Sequence, residues 1–141
     1  MSKRALCLVA AVVAVGVALA SPGLTANTRV PRNGKAARKI LRADIAKIAH
    51  AYSHKRYRAV CSDLTKRERK HLGGMSSCTH KIALINAVVP IEKFTITGTR
   101  LAQRRMQATV SLYVNGDKKH LVHAVAQWEG GAYRLDHESG W

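Results

Sequence analysis

Four ionisable residues near the end of the chain could take part in proton transfer: His120, His123, Asp136 and His137. A general base must lie within hydrogen-bond reach of its substrate in a shielded pocket. His120 and His123 are three positions apart on a predicted strand, so their side chains point to opposite faces and only one can face a pocket. Asp136 could orient that histidine, or it could pair with Arg134 or a helix lysine. His120, His123 and Asp136 are therefore catalytic candidates without a complete acid–base pair.

Two other groups contain metal-binding residue types, but neither has the pattern of a metal site. The first group consists of Cys61, His71, Cys78 and His80. It lacks the close-set ligand pairs that zinc sites use. The second is His50 and His54, one helical turn apart, where the neighbouring Lys47 and Lys55 would repel a cation. We predict no metal site and no cofactor.

The start of the chain has the pattern of a secretory signal peptide. Lys3 and Arg4 precede an uncharged apolar run from Ala5 to Ala20 that ends in small residues. The run has about 16 residues, fewer than the roughly 20 that cross a bilayer as a helix. We expect cleavage near Ala20 and an extracytoplasmic, secreted mature protein.

The expected cleavage leaves two of the three cysteines, Cys61 and Cys78, because Cys7 lies in the signal peptide. An even number of cysteines outside the cytoplasm favours a disulfide. A loop of about 17 residues closed in this way would stabilise the fold by about 3 kcal/mol. We predict a disulfide between Cys61 and Cys78.

The chain is strongly basic, with a formal net charge of +16 that falls to +14 when the two cations of the signal peptide are removed. Such a charge favours anionic partners. Nucleic acid is disfavoured by export and by the few aromatic residues among the cations, which single-strand binders need for stacking. Polyanionic cell-wall polymer and anionic membrane surfaces remain as candidate partners. The predicted anion-binding cluster is Lys55, Arg56, Arg58, Lys66, Arg67, Arg69 and Lys70.

Apolar residues recur at helical spacing in the first half of the mature chain. Residues 21–34 have no such period and are predicted to be a flexible lead-in. Thr65 and Glu68 have the spacing of a capping box, in which the Thr65 hydroxyl accepts from the Glu68 amide and the Glu68 carboxylate reaches back. The predicted helices cover about 35–55, about 57–64, a segment from Thr65 to the Gly73-Gly74 pair, and about 77–88 with Ser76 or Ser77 as its cap.

After Pro90 the apolar period changes to two, which is typical of strands. Asn115-Gly116-Asp117 is a hairpin signal. The predicted strands cover about 91–99, 106–114, 120–128 and 132–137. Helices followed by an antiparallel meander predict an α+β domain, with N-terminal helices packed on a curved antiparallel sheet.

These elements and a few loose motifs resemble the nuclear transport factor 2-like (cystatin-like α+β) domains of small exported actinobacterial proteins. The motifs are the basic helix ending in Tyr52, residues 59–65 with a second cysteine at Cys78, and residues 130–136. The last is similar to the closing G-x-W-R-(I/L)-D strand of the family, with Tyr133 in place of the commoner Trp. The resemblance covers about 35–137 and implies a cone-like sheet with helices at its mouth. Tyr52 and Trp128 are the predicted pocket residues, and the alternative for both is a place in the core.

We therefore divide the chain into a signal peptide (1–20), a flexible lead-in (21–34) and one nuclear transport factor 2-like domain (35–141). The predicted function is that of an exported, non-enzymatic binding or accessory protein at or outside the cell surface, in which a small apolar ligand could occupy the cone. One alternative, implied by the resemblance, is an isomerase- or cyclase-like enzyme with a pocket His and Asp. The other is a binder of anionic wall polymer or membrane through the basic cluster. The oligomeric state is not indicated.

Overall fold

A computed structural model of the chain describes residues 29–139, without the side chains of residues 117–120 and 138–139. The predicted signal peptide and most of the predicted lead-in lie outside the described residues. Within residues 29–139 no helix is long and apolar enough to cross a membrane.

Helices come first and a four-stranded sheet follows, which confirms the predicted α+β class. The helices are α1 (Gly34–Ser53), α2 (Tyr57–Ser62), α3 (Lys66–His71) and α4 (Gly74–Val88). The strands are β1 (Phe94–Leu101), β2 (Gln107–Val114), β3 (Asp117–Glu129) and β4 (Ala132–Ser139). Each strand pairs antiparallel with the next in the order β1-β2-β3-β4, and the sheet is open.

Helix α1 supplies most of the helical side of the core. Its start is capped by Asn33, whose side-chain oxygen accepts a hydrogen bond of 2.8 Å from the Lys35 amide. One face of the helix is apolar at helical spacing, and that face is buried. The buried residues are Ala37, Leu41, Ile45, Ile48 and Ala51. Apart from Ala37, they belong to the same core cluster as the inner face of β2, β3 and β4.

The turn between α3 and α4 depends on two glycines with positive φ, 90° at Gly73 and 87° at Gly74. Side chains rarely adopt this conformation, and a Cβ at Gly73 would lie 2.8 Å from the Ser77 Oγ. Gly73 is the N-cap of α4, so the helix begins at Gly74. The prediction that Ser76 or Ser77 caps this helix is therefore wrong, because both residues lie inside its first turn.

The segment between α2 and α3 lies along the edge of the sheet. Leu64 forms a parallel bridge with Leu135 of β4. The Thr65 amide donates to the Leu135 carbonyl at 2.9 Å, and the Leu135 amide donates to the Asp63 carbonyl at 3.1 Å. These bonds satisfy edge groups of β4 that would otherwise be unpaired. They also fix the position of α3 against the last strand.

A disulfide between Cys61 and Cys78 joins α2 to α4, and both residues are fully buried. Helix α4 packs mainly on α2 and α3. Its C-terminal half carries large apolar residues that are exposed, among them Leu84, Ile85 and Val88. The disulfide therefore anchors the N-terminal half of α4, and the C-terminal half is held by a hydrogen bond of 2.8 Å from the Asn86 side chain to the hydroxyl of Tyr57 in α2.

We expect the double variant Cys61→Ala/Cys78→Ala to lose about 3 kcal/mol of the free energy of unfolding, since the disulfide closes a loop with a sequence separation of 17. Equilibrium urea unfolding measures this loss. Hydrogen exchange should show the amides of α4 losing protection before those of β2 and β3. An unchanged unfolding midpoint would contradict the anchoring role of the disulfide.

Candidate functional site

An apolar cavity of about 370 Å³ lies between the sheet and the helices. Residues from all four helices and from the inner face of the sheet form its wall, among them Ile48, Val60, Ile82, Ile85, Leu112 and Ala124. Pockets for small ligands have volumes of about 300 to 1,000 Å³ and mostly apolar walls. The apolar cavity is therefore large enough for a small ligand.

The apolar cavity reaches the surface beside the C-terminal half of α4. Ile85 and Val89 line the cavity and are also exposed, with Ile85 at 46 %. The adjacent Val88 is 81 % exposed. The Tyr52 hydroxyl donates to the Val89 carbonyl at 3.1 Å and holds this end of α4 against α1. The mouth of the cavity thus has an apolar rim.

Glu68 of α3 and His137 of β4 are the ionisable acid and base in the cavity wall. The Glu68 amide donates to the Thr65 Oγ1 at 3.1 Å, as the predicted capping box requires. The return bond of that box does not form, because the Thr65 amide donates to the Leu135 carbonyl instead. No described residue hydrogen-bonds to or forms an ion pair with the Glu68 carboxylate.

A bulge in β4 determines the position of His137. The register between β3 and β4 shifts so that Asp136 is the extra residue between Leu135 and His137. Asp136 is 1 % exposed, and the His137 Nδ1 lies 3.1 Å from its Oδ2. A histidine that lines the apolar cavity is therefore oriented by a buried carboxylate.

Two further groups hold the Asp136 carboxylate. The Thr65 hydroxyl donates to its Oδ1 at 2.8 Å, and the Arg67 guanidinium donates to both oxygens, with the Nε at 3.2 Å from Oδ1. Burial alone would raise the pKa of Asp136. The hydrogen bonds from Thr65, His137 and Arg67 outweigh burial and hold this pKa below its ordinary value of 3.8. The carboxylate is therefore ionised and fully paired.

The structure describes the side chains of two predicted catalytic candidates, His123 and Asp136, and places them apart. His123 occupies a position that alternates with the buried Val122 and Ala124, and its Nδ1 lies 3.1 Å from the Ser111 Oγ. It is therefore on the face of the sheet away from the apolar cavity, whereas Asp136 contacts helix α3. The side chain of His120 lies outside the described residues.

The two predicted pocket residues have different positions. Tyr52 lines the apolar cavity. Trp128 is buried outside the cavity wall, where its ring meets that of Tyr133 edge to face at a centroid distance of 5.0 Å. Tyr133, at the position where the resembled family more often has Trp, is itself 1 % exposed. The two rings fill one end of the core.

The predicted anion-binding cluster separates into two groups. Arg67 pairs with Asp136, and the Arg69 Nη1 donates to the Cys61 carbonyl at 3.4 Å. These two residues therefore have structural contacts as well as charge. Every member except the half-buried Arg69 is exposed, namely Arg67 and Lys55, Arg56, Arg58, Lys66 and Lys70.

The rings of His50 and His54 lie 4.0 Å apart between centroids at the end of α1. The His54 Nδ1 is 2.9 Å from the His50 carbonyl oxygen. Among the side chains that the structure describes, no three of metal-binding type form a cluster.

Comparisons with protein-family models, with curated proteins and with solved structures return no match. The resemblance to the nuclear transport factor 2-like family therefore stays a prediction.

We expect Asp136→Asn to lower the free energy of unfolding by about 2 kcal/mol at pH 7, because hydrogen bonds to a charged group are lost. Since folding lowers the pKa of Asp136, its contribution is present above pH 3.8 and is lost as the pH falls through the lower folded value. Urea unfolding from pH 7 to pH 2 measures both effects.

In that titration the wild type should lose stability below about pH 4 more steeply than the Asp136→Asn variant. The exposed Glu92→Gln is a matched control and should retain the wild-type profile. Parallel profiles for wild type and Asp136→Asn would contradict the proposed pairing of the carboxylate.

Proposed function

We propose that this chain is an exported, non-enzymatic binding protein that holds a small apolar ligand in the apolar cavity, at or outside the cell surface. The observation that carries the proposal is a cavity of about 370 Å³ with an almost wholly apolar wall and an apolar mouth. Burial of apolar ligand surface is favourable by roughly 25 cal/mol per Å². Such a wall gives affinity for apolar molecules without the need for a reactive group.

Two further features support export and the finer fold. A buried disulfide suits an oxidising compartment outside the cytoplasm. A helical layer that leaves a cavity against the sheet is what the nuclear transport factor 2-like resemblance implies. We propose that fold, with the cavity in the place of the mouth of the cone.

The His137–Asp136 pair is the observation that favours the enzymatic alternative, an isomerase- or cyclase-like reaction in the cavity. We favour binding because Arg67 already neutralises the Asp136 carboxylate, which weakens the electrostatic support that the carboxylate could give to a protonated His137. The His137 side chain is also 54 % exposed, whereas general-base catalysis needs a shielded site.

We expect Ala49→Phe to weaken binding of the neutral dye Nile red by about tenfold or more, because a ring at this cavity-lining position occupies ligand space. Fluorescence titration measures the dissociation constant. Ala43→Phe, on an exposed face of the same helix, is the matched control and should bind as the wild type does.

Urea unfolding of both variants separates loss of binding from loss of the fold. Equal affinity of a folded Ala49→Phe variant and the wild type would overturn the proposed site.

A second candidate function is attachment to an anionic membrane surface. The observation that favours it is the apolar rim around Val88 together with exposed cations on the neighbouring helices α2 and α3. Near-surface Lys and Arg each add about 1 kcal/mol of attraction to anionic lipid. An apolar mouth facing a membrane would also give an apolar ligand a route into the cavity.

For this candidate we expect Lys66→Gln/Lys70→Gln to weaken binding to vesicles containing phosphatidylglycerol by about 30-fold, from two lost attractions of about 1 kcal/mol each. Vesicle co-sedimentation at low and high salt measures this. Lys35→Gln/Lys39→Gln removes the same charge from α1 and should have a smaller effect. Equal losses of vesicle affinity in the two variants would mean that only the net charge attracts the protein to the vesicle. That result would exclude α3 as a specific membrane-binding surface.

A further inference from the structure

We infer that the ligand of the apolar cavity carries a hydroxyl or amino group and that Glu68 and His137 bind this group. The inference rests on the proposed binding function and adds the chemical class of the ligand. Its basis is the hydrogen-bonding state of the polar atoms in a wall that is otherwise apolar.

The Glu68 carboxylate is the first of these atoms. An ionised carboxylate only accepts hydrogen bonds. The local partner that a capping box provides is the Thr65 amide, and that amide donates to the Leu135 carbonyl instead. Glu68 is half-buried, and no described residue pairs with its carboxylate. The carboxylate therefore has acceptor capacity available at the cavity wall.

The imidazole of His137 also offers a hydrogen-bond acceptor at the cavity wall. Its Nδ1 contacts the Asp136 carboxylate at 3.1 Å, and a carboxylate partner places the imidazole proton on Nδ1. In the neutral imidazole the Nε2 is then an acceptor. The third polar residue in the wall, Tyr52, commits its hydroxyl proton to the Val89 carbonyl. The Glu68 carboxylate and the His137 Nε2 therefore both accept hydrogen bonds, so a ligand group that pairs with them must be a donor.

A hydroxyl or an ammonium group supplies a donor and would pair with Glu68. A carboxylate supplies none and would meet the negative charge of Glu68 in a mostly apolar environment, where like charges repel strongly. The net positive charge of the protein surface acts in the opposite sense, because it attracts anions. The preference of the cavity for a hydroxyl or amino group over a carboxylate is therefore measured best when the surface charge is screened by salt.

The test uses three compounds with the same alkyl chain: decanol, decylamine and decanoate. Each competes with Nile red at about pH 8 and about 0.5 M salt, where surface charges are screened. We expect decanol and decylamine to displace the dye with dissociation constants about tenfold or more below that of decanoate. Glu68→Gln, whose amide both donates and accepts, should reduce this preference to about twofold. Glu92→Gln, at an exposed loop position, should retain it.

Two results would overturn the inference while leaving the proposed function intact. The first is decanoate binding as tightly as decanol to the wild type. The second is an unchanged preference in Glu68→Gln. If neither the dye nor any of the three compounds binds, the proposed function and the inference both fail.

Discussion

Thr65 joins the helical layer to the edge of the sheet, and the geometry of the candidate site depends on its hydrogen bonds. Its amide donates to the Leu135 carbonyl, and its hydroxyl donates to Asp136 while accepting from the Glu68 amide. The residue is 1 % exposed, so each of these groups would carry a desolvation cost if it lost its partner. One buried side chain therefore positions α3, the Asp136 carboxylate and, through it, His137.

The apolar cavity follows from how the four helices are held. Helix α1 packs closely on the sheet, with a buried apolar face and a hydrogen bond of 2.8 Å from the Tyr133 amide to Asp44. Burial raises the pKa of Asp44, against the lowering effect of that hydrogen bond. Helix α4 is joined to α2 by the disulfide and by a hydrogen bond from Asn86, and to α1 by the Tyr52 hydroxyl on Val89. Space remains between α4 and the sheet, and apolar side chains line that space.

Local patterns in the sequence were sufficient to predict the class and order of the elements. The alternation along β2 and the helical period of α1 are properties of neighbouring residues, and both match the structure. The start of α4 was mispredicted because a glycine in the left-handed region served as its cap, where sequence rules favour serine. The disulfide was predicted from the number of cysteines and the expected compartment, and the structure contains it.

The candidate site was less predictable because its contacts join residues far apart in the chain. The spacing of Thr65 and Glu68 indicates a cap, but it cannot show that Leu135 takes the Thr65 amide and leaves the Glu68 carboxylate available. His137 was among the histidines considered, but a bulge in β4 decides that it meets Asp136. Trp128, an apparent pocket residue, fills the core because Tyr133 packs against it.

The space between α4 and the sheet is the proposed binding site for an apolar molecule with a donor group. Methyl and backbone nuclear magnetic resonance spectra recorded during a titration with decanol test this most directly. We expect saturable shifts at Ile82, Ile85 and Leu112 in the wall and at the Glu68 amide, with little change at Val125 on the opposite face of the sheet. Shifts confined to the exposed end of α4, or no saturable shifts in the wall, would contradict it.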